Sequence, residues 1–75
     1  MNIILYKTAT CPQCKVVKTK LENKGLSYTE ELDADVMAAR GVDSIPTLEI
    51  DGEKITNLRQ MCKWVDAQEV NNGKN

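Results

Sequence analysis

The chain has no histidine and only three cysteines among its 75 residues. A closed cysteine and histidine zinc site needs four ligands, so Cys11, Cys14 and Cys62 together cannot complete one in a single chain. An odd cysteine number, with two of the three close together, also excludes the disulfide scaffold that staples small secreted domains. No apolar run reaches membrane-spanning length and no signal-like segment is visible. Together with the sparse thiols, these absences lead to the expectation of a reducing compartment, the cytoplasm. There is no basic excess either: the formal net charge is -1, so neither nucleic acid nor membrane is expected as a partner. Internal repeats and low-complexity segments are lacking too.

What remains is 41% hydrophobic content, enough for one small core and no second domain. Residues 1–70 are expected to form that domain, with 71–75 a polar tail. Charge is segregated along the chain. Residues 1–25 carry five lysines against one glutamate, and residues 26–53 carry eight acids against Arg40. Such runs are ordinarily solvated faces, but Lys7, Lys15 and Lys18 also fall where they make one end attractive to anions and to a thiolate.

The chain is organised around Thr10-Cys11-Pro12-Gln13-Cys14-Lys15-Val16-Val17. The apolar run Asn2 to Tyr6 before it suits a central strand buried on both faces. After it, a helix is predicted from Pro12 to about Lys24, with Cys11 as N-cap, Pro12 at the first helical position and Gly25 just past the end. Cys14, Val17 and Leu21 share its inner face, while Lys15, Lys18, Lys20 and Glu22 are expected outside. Leu26 to Leu32 reads as a second, acidic edge strand parallel to the first. Asp33 to Arg40 reads as a short helix closed by Gly41, with Val36, Met37 and Arg40 on one face.

Thr47 to Ile50 and Glu53 to Thr56 form a hairpin across Asp51-Gly52, a strong two-residue turn signal. A last helix is expected from about Leu58 to Glu69 behind an Asn57 cap, burying Leu58, Met61, Cys62 and Val65. Cys62 is thus expected in the core, its alternative being a peripheral thiol open to glutathionylation or to linking two chains. The order βαβαββα, with parallel strands first and a hairpin last, is an α/β arrangement: the minimal thioredoxin fold, a four-stranded mixed sheet flanked by three helices.

A thiol attacks a disulfide only as the thiolate, and a helix N-cap is a setting that favours it. There the Cys11 sulfur is expected to accept hydrogen bonds from the N–H groups of Gln13 and Cys14, aided by the helix dipole. Pro12 has no N–H to offer. Cys14 lies one turn deeper, within reach of Cys11 for a disulfide. Cys11 is therefore the expected nucleophile and Cys14 the resolving thiol.

With CxxC after the first strand, Ser44-Ile45-Pro46-Thr47 before the hairpin and Asp51-Gly52 at its turn, the chain resembles the glutaredoxins over nearly its whole length. Cys11-Pro12-Gln13-Cys14 is similar to that family's dithiol CPYC site. Ile45-Pro46, an ordinary trans bond by base rate, is implied by the resemblance to be cis, with the Ile45 backbone pairing with a substrate peptide. The implied substrate-binding residues are Lys7, Pro12, Gln13, Ile45, Pro46, Thr56 and Asn57.

The family's Gly-Gly pair before the last helix is replaced by Ile55-Thr56-Asn57-Leu58, where Thr56, Asn57, Arg59 and Gln60 offer hydrogen bonds to a carboxylate. The short length and the non-aromatic Gln13 also resemble the NrdH-redoxins, electron donors to ribonucleotide reductase. The resemblance implies a monomeric thiol-disulfide oxidoreductase with no bound cofactor, acting on disulfide-containing proteins such as ribonucleotide reductase. Its electrons would come from glutathione or from thioredoxin reductase. Readings of other classes are an iron-sulfur cluster held between two chains through Cys11, and a redox-sensing module with little turnover.

Overall fold

In a computed structural model describing residues 2–68, the elements are β1 (Ile3–Tyr6), α1 (Pro12–Asn23), β2 (Thr29–Glu31), α2 (Ala34–Ala39), β3 (Thr47–Ile50), β4 (Glu53–Ile55) and α3 (Leu58–Ala67). They form one four-stranded sheet in the order β2-β1-β3-β4. β1 runs parallel to β2 and antiparallel to β3, which pairs antiparallel with β4. This is the thioredoxin-like arrangement expected from the sequence. The polar tail at 71–75 and the end of the last helix at Glu69 lie outside the described residues. Among the described residues no helix is long and apolar enough to cross a membrane.

β1 divides the core because alternate strand residues point to opposite faces. Ile3 and Leu5 pack with Val17 and Leu21 of α1, Leu48 of β3, and Met61 and Val65 of α3. Tyr6 faces the other way, in a smaller cluster with Met37 and Val42, against which Ile4 and Ile45 pack.

Two helices end in the same way. Gly25, at φ 68°, donates its N–H to Glu22 O while Leu26 donates to Leu21 O at 3.1 Å. After α2, Gly41 at φ 74° donates to Ala38 O and Val42 to Met37 O at 2.8 Å. Both are Schellman motifs, and Met37 and Val42 add the apolar contact that accompanies one. The first explains why the second strand is shorter than the predicted Leu26 to Leu32. Leu26 is held by the helix end and packs on the core, and the ladder begins only where Thr29 meets Ile4.

The hairpin turn has positive φ at both Asp51 (50°) and Gly52 (92°), the type I′ signature that matches strand twist. Asn2, predicted within β1, instead clasps this turn: its N–H donates to Asp51 Oδ1 at 2.7 Å and its carbonyl accepts from Asp51 N at 2.9 Å.

Cys62 corrects a prediction. It is only partly buried, and the buried face of α3 centres on Met61 and Val65 with Leu58 and Trp64 at its sides. At about 100° per residue, Cys62 falls just off that stripe. Lys20 Nζ holds Asp66 Oδ1 of α3 at 2.9 Å, joining the exposed rims of the two helices.

Candidate active site

Three segments converge at one end of the sheet. β1 runs towards Lys7 and the Thr8–Thr10 loop that delivers Cys11. β3 starts at Thr47 opposite Tyr6, so the Ile45–Pro46 peptide lies at the same end, and that bond is cis. β4 is antiparallel to β3 and ends at Ile55 beside Leu48, so Thr56 and Asn57 also follow at this end. Strand direction thus carries Lys7, Ile45, Pro46, Thr56 and Asn57 to the end of the sheet at which α1 begins, although of the residues predicted to bind substrate only Pro12 lines the pocket beside Cys11.

Cys11 is the N-cap of α1, with extended backbone at φ -88° and ψ 109°. Its Sγ accepts the Cys14 N–H at 3.1 Å, and its carbonyl accepts from Lys15 N at 3.3 Å to open the helix. The expected second donor, the Gln13 N–H, makes no such bond, so one amide and the helix dipole supply the cap. Cys11 and Cys14 are joined as a disulfide, their Cα atoms 5.2 Å apart. The pair is asymmetric: Cys11 is partly exposed, whereas Cys14 is completely buried on the inner face of α1. A pocket of about 320 Å³ opens beside them, lined by Ala9, Thr10, Cys11, Pro12 and Lys15. Pro12 and Gln13 are exposed on the helix start.

The lysines do not behave alike. Glu30 of β2 draws in Lys7 and Lys18, whose Nζ atoms lie 3.5 and 3.3 Å from the same Oε2. Lys18, expected to face outward, keeps 38% of its side chain exposed while its ammonium reaches Glu30, and Lys7 is left with 13% of its side chain exposed. That Oε2 is shut off from solvent and accepts no well-aligned hydrogen bond, so the ammoniums meet it as charges. Desolvation pushes the Glu30 carboxyl up, but Lys18 and Lys7 outweigh it and hold the pKa below the ordinary range.

On the other face, Tyr6 Oη donates to Glu49 Oε1 at 2.7 Å and accepts from Arg40 Nη1 at 3.2 Å. Burial first, and then the bond to Glu49, push the Tyr6 phenol above its ordinary pKa. This link, which sequence reading missed, ties the end of α2 to β1 and β3 beneath the Ile45–Pro46 loop. The available signal was Arg40 falling at helical spacing with Val36 and Met37. Thr47 Oγ1, buried, donates to Ser44 O at 2.8 Å and closes the same loop.

At α3, Asn57 Oδ1 accepts the Gln60 N–H at 3.2 Å, so the side chain offered for substrate carboxylates serves as a cap. Thr56 beside it is exposed. Among the described residues no group of three or more metal-ligating side chains gathers.

Solved structures of the same fold include the thioredoxin-like protein BC3987, with 29% identity and a TM-score of 0.65 over 85% of this chain and 99% of that one. The glutathione transferase Omega 2S from Trametes versicolor matches at 18% identity and TM-score 0.69, covering 85% of this chain and 35% of the transferase. The trimeric glutathione transferase TDR1 of Leishmania matches at 22% and 0.73, covering 97% and 18%. At those identities the transferases share the fold alone, and this chain spans about a third of the length of one and under a fifth of the other. No curated protein matches by sequence. The Glutaredoxin family model matches residues 3–55, from the first strand through the cysteine pair and the cis proline to the end of the hairpin, and the chain belongs to the glutaredoxin family.

Proposed function

We propose that the protein is a thiol-disulfide oxidoreductase that reduces disulfides of other proteins through Cys11 and Cys14. The observation that carries this reading is the asymmetry of the pair, an open sulfur at a helix N-cap bonded to a sulfur buried one turn inside. In the reduced protein, the Cys14 N–H and the helix dipole favour the Cys11 thiolate. That thiolate attacks one sulfur of a substrate disulfide, forming a mixed disulfide and expelling the other sulfur as a thiolate, which takes up a proton. Cys14, once deprotonated, then attacks Cys11 Sγ; the Cys11–Cys14 disulfide forms and the second substrate sulfur leaves as a thiol. Two electrons pass to the substrate, and the protein ends oxidised.

Burial of Cys14 delays its attack on the incoming substrate and reserves it for the bound intermediate. The Ile45 backbone, in the loop before Pro46 and β3, is the place where the substrate chain would pair. Return to the dithiol needs two electrons from outside, supplied by two glutathione molecules or by a thioredoxin reductase. The exposed Thr56 at the rim is available to a glutathione carboxylate, whereas Asn57 is committed to its helix. An electron donor to ribonucleotide reductase is the specific role this chemistry fits. The test is to assay the oxidised protein against glutathione with its reductase and, separately, against thioredoxin reductase. Turnover of a protein disulfide with either one supports the reading, and none with both refutes it.

A further inference from the structure

Of the three lysines near the disulfide, two are taken up by Glu30 and one is not. Lys15 sits in the first turn of α1, where there is no acidic residue, and it lines the pocket beside Cys11. Among the described residues no carboxylate lies within ion-pair distance of its ammonium, in contrast to Lys7, Lys18 and Lys20. The other walls, Ala9, Thr10 and Pro12, are uncharged. The pocket thus brings a partly exposed sulfur and uncharged walls together with one lining residue that carries positive charge, Lys15. A disulfide that reaches Cys11 must lay the atoms flanking its own sulfur against these surfaces.

We propose, resting on the disulfide-exchange reading above, that this pocket selects peptide disulfides with a carboxylate side chain next to the attacked cysteine, and that Lys15 Nζ determines the preference. Opposite charge across the pocket draws the correct substrate in and adds an ion pair as its flanking residue is partly dehydrated. A basic neighbour in the substrate meets like charge instead. The bond changes are those of the general reaction: the peptide sulfur joins Cys11 as its former partner leaves as a thiol, and Cys14 then frees the peptide thiol. Lys15 takes no part in proton or electron transfer, so it acts as a specificity contact.

The experiment uses the reduced protein and three blocked peptides, identical except for Glu, Gln or Lys beside a single cysteine, each presented as its mixed disulfide with uncharged 2-mercaptoethanol. Peptide thiol released under single-turnover conditions gives a rate constant per concentration for each. The Glu peptide should react about threefold faster than the Gln peptide, with the Lys peptide slowest, and the spread should shrink in high salt. In K15Q the Glu to Gln ratio should fall to about one, and in K15E it should invert. Using the ratio cancels any change that Lys15 substitution makes to Cys11 itself. Equal rates in the wild type, or a preference that survives K15Q, would overturn the inference while leaving disulfide exchange intact. Failure to reduce any of the peptides would refute the exchange reading, and the inference with it.

Discussion

Glu30 and Lys7 lie on neighbouring parallel segments at the active-site rim, with Lys7 Nζ 3.5 Å from a carboxylate oxygen that also meets Lys18. The lysine that the family resemblance assigns to substrate is therefore already partnered, and the lysine that lines the pocket is Lys15.

The Glu30 cluster makes stability fall in acid. Its carboxyl titrates below the ordinary 4.5 in the folded chain, so below that value the unfolded chain binds more protons and folding weakens as pH drops. E30Q should be destabilised by about 1 kcal/mol at neutral pH. The gap between the two proteins should be constant above about pH 5 and close as pH falls through the lowered value. Urea denaturation from pH 3 to 7 measures it, and a gap that widens in acid would contradict the ion-pair account.

The two cysteines should separate cleanly by substitution. Cys11→Ser should abolish disulfide reduction. Cys14→Ser should stop at the first step and accumulate a mixed disulfide with a protein substrate, visible by mass spectrometry as an adduct that reductant removes. Full activity in Cys11→Ser would exclude the assigned order of attack.

Tyr6→Phe removes the hydroxyl that Glu49 and Arg40 share. It should cost about 1 to 2 kcal/mol, since a half-buried carboxylate loses its donor. Because the phenol is raised above 10.0 when folded, its contribution is complete below that pH and is lost as pH rises beyond it. Denaturation of both proteins at pH 7 and at stepwise higher pH tests this; a variant as stable as the wild type would show that the link carries no stability.

Asn57 caps α3, its Oδ1 accepting the Gln60 N–H. Asn57→Ala should lose about 1 kcal/mol and lower Tm by about 4 to 8 °C in a domain of this size, while Asn57→Asp should keep most of the stability. Thermal melts followed by circular dichroism decide between them. An alanine variant with unchanged Tm would return Asn57 to the role of a substrate ligand.

Much of the fold was legible because its signals are local. Pro12 after Cys11 marks a helix start, Gly25 and Gly41 mark two ends, and Asp51-Gly52 sets the hairpin, each through backbone geometry that few residues permit. Leu26 misled because its apolar character fits both a strand and a helix-end contact, and only the chain's path chooses between them. Cys62 misled because it lies one step off the buried stripe, and the boundary of that stripe is drawn by the neighbouring helix.

The sequence by itself determined the order of elements, the spacing of Cys11 and Cys14 and the place of Pro46, because turn chemistry, capping and periodicity act over a few residues. Only the tertiary structure decided which charges are spent. Glu30 and Lys18 are far apart in the chain and come together because β2 pairs with β1 beneath α1, and that same packing leaves Lys15 alone at the pocket. Ion pairing depends on distances of a few ångströms between groups brought together by folding, and no local pattern encodes them.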